Sequence, residues 1–230
     1  MYLEMGIEVL SNDDFTKWAT DYSYERFLVT PKYEGIVCFL VYYDGKLTKA
    51  FIENEYNPSD NINIANTAKK IKNVPSKLKI NKDSIIYGDY HYDGLYVPKT
   101  AVIKGIITVK KSAVKGKKKS VDKVISSILF SENLNDLSFK PLSMTVNDEE
   151  FTSKYLNERH KMLDVAELLG FDYCDYWRAI GGSTVIMVAS EYKRRFVHKQ
   201  PYKIDGCIVG FEIVNKISSY DNDNMKILKL

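Results

Sequence analysis

A tight hairpin is the feature that most restricts how this chain can fold. In the stretch VTPKYEGIVCFLVYYDGKLTKAFIEN, residues 29–54, two runs rich in β-branched and aromatic residues cover 35–43 and 46–52. Asp44-Gly45 separates them, and an Asp-Gly pair between two such runs favours a two-residue antiparallel connection. The stretch therefore predicts two paired antiparallel strands, with a lysine, Lys32, just before the first of them.

The rest of the chain mixes helical and strand patterns. Apolar spacing predicts helices over 13–21, 62–72, 159–169 and 183–196. Gly170 is a C-cap candidate for the third helix and Ser183 an N-cap candidate for the fourth. Further strands are predicted from Phe27 and over 84–90, 202–214 and 225–230. This order indicates an α+β fold with largely antiparallel sheets and flanking helices.

Composition narrows the class of protein. The chain has 230 residues, a net charge of +3, and three cysteines, Cys38, Cys174 and Cys207, outside any Cys-x-x-Cys pair. This pattern predicts reduced thiols and no zinc ribbon. No apolar run approaches the ~18 residues of a membrane span, and the N-terminus lacks the basic region of a secretory signal. We therefore expect a cytoplasmic protein without a membrane-spanning segment.

A lysine-rich segment, KKSAVKGKKK, covers residues 110–119. A run of like charges is usually a solvated loop, and this interpretation is preferred. The alternative is a loop that contacts phosphates, which would make binding sensitive to salt.

Four short motifs combine lysines, carboxylates and glycines. They are Lys32-Tyr33-Glu34-Gly35, Tyr87-Gly88-Asp89, Asp205-Gly206 and Ile227-Leu228-Lys229. Each is common by itself: a solvated turn lysine, glycines in turns or bulges, or a frayed chain end would explain them separately. The order of all four motifs along the chain, rather than any single motif, supports a functional interpretation.

In that order the motifs resemble those of the covalent nucleotidyltransferases, which include DNA ligases, RNA ligases and mRNA capping enzymes. The chain looks most similar to the adenylation domain of NAD-dependent DNA ligases. The likeness covers about residues 27–213 through TPKYEG, the hairpin, segments 66–78 and 137–144, a helix like HKMLDVAELLGF and the strand PYKIDGCIVGF. It implies the covalent nucleotidyltransferase fold, which is ATP-grasp-like.

The resemblance also implies roles for individual residues. Lys32 would be the nucleophile that forms lysyl-AMP, Lys229 would contact the α-phosphate, and Asp89 and Asp205 would be catalytic carboxylates that also hold Mg²⁺. A lysine amine attacks phosphorus only in its neutral form, and the transfer needs positioning and cationic stabilisation. The implied nucleotide-binding residues are Thr30, Pro31, Glu34, Gly35, Glu53, Gly88, Leu142 and Gly206.

Several positions depart from the family pattern. Thr30 replaces a glutamate, Glu53 replaces an arginine, and Asp89 is a shorter carboxylate than the usual glutamate. Gly210 occupies the position of a lysine, and Leu142 that of an aromatic residue that stacks on the nucleotide. These changes remove groups that would bind phosphate or base.

The resemblance also implies which domains of a ligase the chain covers and which partners it binds. Residues 1–230 correspond to one nucleotidyltransferase domain without the N-terminal domain that captures nicotinamide and without the C-terminal OB-fold. The expected cofactors are NAD and Mg²⁺, and the expected partners are nicked DNA and a second ligase subunit that carries the OB-fold. The alternatives are an ATP-using DNA or RNA ligase, and a catalytically silent binding or scaffold subunit.

Overall fold

The structure of the protein is a computed structural model. It describes residues 8–10, 26–52, 61–78, 97–114, 120–131, 134–151, 156–171, 177–180, 207–214 and 226–229. The predicted helices over 13–21 and 183–196 and the predicted strand over 84–90 lie outside these residues.

The described elements are strands arranged in two sheets, with short helices. The strands are β1 (Glu8–Leu10), β2 (Arg26–Glu34), β3 (Ile36–Tyr43), β4 (Lys46–Ile52), β5 (Ile62–Asn63), β6 (Thr100–Val109), β7 (Leu137–Val146), β8 (Glu149–Phe151), β9 (Trp177–Ile180), β10 (Cys207–Val214) and β11 (Lys226–Lys229). The helices are α1 (Ala65–Ala68), α2 (Lys111–Val114), α3 (Val121–Leu129) and α4 (Leu156–Leu168). No described helix has the length and apolar character needed to cross a membrane.

The sheets confirm the predicted α+β class. The five-stranded sheet has the order β1-β11-β10-β2-β9 and the six-stranded sheet the order β5-β4-β3-β6-β7-β8. The β1–β11 pair is parallel, and the other described pairs are antiparallel. The predicted strands at 202–214 and 225–230 are confirmed over their described residues, which form β10 and β11; residues 202–206, 225 and 230 lie outside the described residues.

The predicted hairpin is confirmed as the β3–β4 pair. Asp44 and Gly45 both have positive φ, 45° and 68°, and Tyr43 faces Lys46 across the turn. Positive φ at both central positions is the geometry of the two-residue turns whose twist matches paired strands, and it is the reason for the Asp-Gly sequence.

One face of the six-stranded sheet forms the core under the helices. Alternate residues of β3 are fully buried, and α1, α3 and α4 pack on β4, β6 and β7 respectively. The largest fully buried side chains are Tyr42, Phe139, Leu40, Ile71, Leu78, Ile103, Ile107 and Ile125. Burial raises the pKa of the Cys38 thiol, and it also raises the pKa of Tyr42, with a smaller contribution from Cys38. Cys38 is a free thiol, as predicted.

The helix predicted over 159–169 is confirmed as α4, together with its glycine cap. Gly170 has φ of 89°, its N–H donates to the Glu167 carbonyl, and the Phe171 N–H donates to the Ala166 carbonyl, both at 2.9 Å. This pair of bonds is a Schellman motif, in which glycine adopts the left-handed conformation at no steric cost.

The helix predicted over 62–72 is wrong over most of its length. Its first two residues are strand β5, paired with β4, and only α1 is α-helical. Asn63 Oδ1 accepts a hydrogen bond from the N–H of Ala65, the first residue of α1, at 3.0 Å. Beyond α1 the N–H groups of Lys70 and Ile71 donate to carbonyls only three residues back, which is turn geometry.

The solvated-loop interpretation of residues 110–119 is also corrected in part, because 111–114 form helix α2. Lys110 Nζ donates to the Asn135 carbonyl at 2.9 Å and lies 3.9 Å from Asp136 Oδ1. Residues 115–119 lie outside the described residues, so the phosphate-contacting alternative stays a prediction.

A buried asparagine completes the outer edge of β7. Phe139 pairs with Ile107 of β6 on one side, while β8 pairs with β7 only along Met144–Val146. Asn73 fills the remaining edge: its Nδ2 donates to the Phe139 carbonyl at 2.5 Å, and its Oδ1 accepts the Phe139 N–H at 2.9 Å. The amide therefore replaces a neighbouring strand at this residue.

Replacing this amide should destabilise the protein. We expect Asn73→Ala to lower the free energy of unfolding by about 2–4 kcal/mol, because it leaves buried backbone groups of Phe139 without partners. Urea denaturation followed by circular dichroism measures the loss. Asn66→Ala, at an exposed position of α1, is the control and should change stability by less than about 0.5 kcal/mol. Equal effects of the two substitutions would contradict this role for Asn73.

Candidate functional site

Strand pairing brings Lys32 and Lys229 into one row of the five-stranded sheet. Lys32 of β2 lies opposite Gly210 of β10, and Gly210 lies opposite Lys229 of β11. Neighbouring strands are about 4.8 Å apart, so the Lys32 and Lys229 backbones are separated by roughly 10 Å. Lys32 of the first predicted motif and Lys229 of the last thus flank Gly210 in the backbone register.

The face of β2 that carries Lys32 also carries a buried hydroxyl. Thr30, Lys32 and Glu34 alternate along the strand, so they lie on the same face. Thr30 is 2% exposed, and its Oγ1 has no hydrogen-bond partner. Among the described residues, this is the single buried side-chain oxygen or nitrogen without a partner. Leaving such a group unpaired costs about 1–3 kcal/mol. The unpaired hydroxyl therefore distinguishes the face of β2 that carries Lys32 from the rest of the described core.

Pro31 occupies a position of β2 that tolerates proline. The β9 strand pairs with β2 only along Arg26–Val29, so within the described sheet Pro31 has a paired strand on one side only. Proline has no N–H to donate and is accepted where a strand lacks a neighbour. Pro31 is buried, which fixes the backbone directly before Lys32.

Gly35 marks the junction at which the chain passes from one sheet to the other. The β2 strand ends at Glu34 in the five-stranded sheet, and β3 begins at Ile36 in the six-stranded sheet. A Cβ atom on Gly35 would lie 2.1 Å from the Ile107 carbonyl oxygen of β6. Beside it, Thr108 Oγ1 donates to the Glu34 carbonyl at 2.8 Å. The close approach holds the Lys32 strand against the second sheet, which explains the glycine by packing.

A buried lysine missed by the sequence analysis lies beside this strand. Lys140 of β7 is 3% exposed, and its Nζ lies 5.5 Å from the centroid of the Tyr33 ring. A cation at this distance from an aromatic face is stabilised by the ring's charge distribution. The available signal in the sequence was a lysine inside the apolar strand pattern LSFKPLSM, since lysine is rarely buried without a compensating contact.

Leu142 lies on the second sheet, two residues beyond Lys140. Ser143 pairs with Lys104 and Pro141 with Gly105, so Leu142 is the additional residue of a β-bulge and is half-buried. Bulges redirect side chains and occur often next to binding sites.

The remaining predicted site residues are outside the described part of the chain. These are Glu53, Gly88, Asp89, Asp205 and Gly206. The described segment nearest to the last two begins at Cys207, which pairs with Glu34. No group of three histidine, cysteine or acidic side chains suited to a metal occurs among the described residues, and both predicted Mg²⁺ ligands lie outside them.

Comparison with known proteins indicates a relationship to ligases. No model of a protein family matches the chain. The chain is 24% identical over 208 residues to the DNA ligase of Borrelia turicatae (strain 91E135), which covers 89% of this chain and 29% of that protein. It is thus weakly homologous to a DNA ligase and spans less than a third of that relative's length.

Solved ligase structures are also similar to the chain. An archaeal ATP-dependent RNA ligase has a TM-score of 0.47 and 10% identity, with 94% of this chain and 45% of that chain covered. An ATP-dependent DNA ligase from bacteriophage T7, in complex with ATP, has a TM-score of 0.38 and 10% identity, with 97% and 67% covered. TM-scores below 0.5 do not establish a common fold, so the covalent nucleotidyltransferase fold stays a prediction.

The junction between the sheets should tolerate no side chain at Gly35. We expect Gly35→Ala to lower the free energy of unfolding by about 3 kcal/mol, because its Cβ would overlap the Ile107 carbonyl oxygen. Chemical denaturation measures the change. Gly170→Ala serves as the comparison: its Cβ has room, with Pro75 at 3.7 Å, and only its positive φ opposes it, at a cost of about 1 kcal/mol. A Gly35→Ala protein as stable as Gly170→Ala would contradict the close approach.

Proposed function

We propose that the chain is the nucleotidyltransferase part of a polynucleotide ligase and that Lys32 accepts AMP. The observation that carries the proposal is the row formed by Lys32, Gly210 and Lys229, since it brings the first and last predicted motifs together. The weak homology to a DNA ligase supports the same class of activity.

The proposed reaction starts with the neutral amine of Lys32. Its Nζ attacks the α-phosphorus of the nucleotide, a P–N bond forms, and the bond to the leaving group breaks while the amine gives up a proton. The leaving group is pyrophosphate for ATP and nicotinamide mononucleotide for NAD. The 5′-phosphate at a nick then takes AMP from Lys32, and the 3′-hydroxyl displaces AMP to seal the strand.

A second lysine in the row that contains Lys32 suits this chemistry. Charge accumulates on the phosphate oxygens during transfer, and fixed positive groups stabilise it. Lys229 lies in the same row of the sheet as Lys32, whereas Lys140 contacts Tyr33, whose side chain lies on the other face of β2. Gly210, which lies between Lys32 and Lys229 in the register, has no side chain.

The proposal includes a nucleotide cofactor, a metal ion and partners. NAD is the cofactor that the sequence resemblance favours, and ATP is the alternative. Mg²⁺ would neutralise phosphate charge, with Asp89 and Asp205 as its proposed ligands, because carboxylate oxygens are the protein groups that this ion prefers. Nicked DNA is the proposed substrate, held together with a second subunit that supplies the OB-fold.

A catalytically silent binding subunit is the second candidate function. It is favoured by Gly210, which lies in the row beside Lys32 where the family pattern has a lysine. Such a subunit would join a ligase complex and support sealing without carrying AMP itself. Its interactions and its contribution to activity would be insensitive to the loss of Lys32.

Labelling with radioactive nucleotide tests the proposal. The wild-type chain, incubated with Mg²⁺ and [α-³²P]ATP or adenylate-labelled NAD, should carry one AMP on Lys32, located by peptide mass spectrometry. Lys32→Ala should abolish the label because the acceptor nitrogen is removed. Lys32→Arg should abolish it too, since a guanidinium stays protonated.

Lys69→Ala, an exposed lysine after α1, is the matched control and should be labelled like the wild type. If neither nucleotide labels the chain with candidate partner subunits present, the proposed enzyme activity is wrong. Sealing by a complex that contains Lys32→Ala at the wild-type rate would favour the silent subunit.

The unpaired hydroxyl of Thr30 gives a test in which stability and function change in opposite directions. Thr30→Val keeps the shape of the side chain and removes the oxygen. We expect stability without nucleotide to rise by about 1 kcal/mol, because a buried unpaired group is lost. We expect the nucleotide concentration for half-maximal labelling to rise about five- to tenfold, because one hydrogen bond is lost. Higher stability with unchanged labelling would show that Thr30 does not contact the nucleotide.

A further inference from the structure

We propose that the face of the six-stranded sheet opposite the helices binds a polynucleotide strand. The cationic face, as this surface is called below, consists of Phe39, Tyr43, Lys46, Lys49, Phe51, Val102 and Lys104. The proposal deepens the proposed function, on which it rests for the choice of nucleic acid, by assigning a surface to the ligase's second substrate.

The alternation of β3 separates the cationic face from the core. Cys38, Leu40 and Tyr42 are buried under the helices, whereas Phe39 is half-buried and Tyr43 is 53% exposed. Alternate residues of a strand lie on opposite faces, so the second set belongs to the face away from the core. Exposed apolar side chains on one sheet face are a common mark of a binding surface.

Strand register places lysines on both sides of β3 on this face. Lys104 of β6 lies opposite Phe39, and Lys46 of β4 lies opposite Tyr43. Lys49 of β4 lies opposite Val41, whose other partner is Val102. Side chains directly opposite one another share a face, so the three lysines lie on the same face as the aromatic residues. Lys46 and Lys49 are exposed.

Aromatic rings and a lysine are stacked at the centre of the cationic face. The Phe39 and Phe51 ring centroids are 5.1 Å apart with an interplanar angle of 13°, and Lys104 Nζ lies 5.2 Å from the Phe39 centroid. Proteins that bind nucleic-acid strands combine lysines for phosphates with aromatic side chains for bases. Exposed Tyr43 is the ring that a base would reach first.

The distribution of charge favours a polyanion. The cationic face has three lysines, whereas Asp44 lies in the turn between Tyr43 and Lys46, and Glu150, which pairs with Thr145, lies on β8 two strands beyond Lys104. A strand of nucleic acid offers the repeated negative charges and the flat apolar bases that this mixture of side chains matches. An acidic protein surface would use the lysines but not the exposed rings.

The cationic face extends towards β2, the strand that carries Lys32. At its near end Val37 and Lys140 both lie opposite Ile106 of β6, and Lys140 contacts Tyr33. From Val37 to Tyr43 the strand extends roughly 20 Å. One strand of a duplex advances 3.4 Å per nucleotide, so this distance corresponds to about six nucleotides. A polynucleotide on the cationic face would thus reach the side of β2 that carries Tyr33, the residue directly after the proposed nucleophile.

Charge reversal tests this surface. The full chain is titrated into a fluorescein-labelled nicked duplex, and into the corresponding single strand, with anisotropy recorded from 25 to 200 mM KCl. For the triple variant Lys46→Glu, Lys49→Glu and Lys104→Glu we expect at least about tenfold weaker binding. The slope of log K against log salt should fall by roughly 2–3, because three phosphate contacts are lost.

The matched control is the triple variant Lys69→Glu, Lys72→Glu and Lys123→Glu. These exposed lysines lie after α1 and in α3, on the side of the sheet that the helices cover, and they change the net charge equally. The control should bind within about threefold of the wild type. Because Lys104 is half-buried on Phe39, its substitution could disturb folding, so the double variant Lys46→Glu and Lys49→Glu is measured as well. Both of its sites are exposed, and circular dichroism checks that each variant is folded.

Three results would overturn the proposal. They are equal weakening by the two triple variants, no weakening by the double and triple variants of the cationic face, and binding of poly-glutamate as tight as that of DNA. Labelling of Lys32, which needs no polynucleotide, is measured in parallel. If variants of the cationic face are still labelled at Lys32 but no longer bind DNA, both proposals are supported. If no nucleotide labels the chain but the variants still lose DNA binding, the proposed surface is supported and the proposed enzyme activity is contradicted.

Discussion

The contact between Gly35 and the Ile107 carbonyl oxygen is the constraint on which the arrangement of the site depends. It allows β2 to end in one sheet and β3 to begin in the other without a loop between them. The hydrogen bond from Thr108 Oγ1 to the Glu34 carbonyl holds the same junction from its other side. Because Lys32 is three residues before the glycine, the junction fixes its position relative to both sheets.

Two buried polar side chains lie on or beside β2, although such groups usually cost stability in a core. Lys140 offsets part of its burial by contact with the Tyr33 ring, while Thr30 Oγ1 has no partner. By contrast, Asn73 satisfies both of its amide groups at Phe139, where its role is structural. The unpaired hydroxyl distinguishes the Lys32 strand from the rest of the described core, since functional sites are where such costs are retained.

The two faces of the six-stranded sheet have different roles because successive side chains of a strand lie on opposite faces. Residues such as Leu40 and Ile103 fill the core under the helices, and the intervening positions carry Phe39 and Lys104 outward. A single set of strands therefore supplies both the hydrophobic stabilisation and the proposed polynucleotide surface. Gly35 connects this sheet to the strand that carries Lys32, so the surface and the proposed nucleophile are parts of one framework.

Local chemistry in the sequence determined the β3–β4 hairpin at Asp44-Gly45, the end of α4 at Gly170 and the strand character of β10 and β11, because turn geometry and side-chain period are properties of neighbouring residues. It also led to Lys32 and Lys229 as candidates through a resemblance. Only the tertiary structure decided that these lysines share a row with Gly210 and that Lys140 is buried against Tyr33. Strand register between distant segments depends on how whole sheets pack, and no local pattern contains that information.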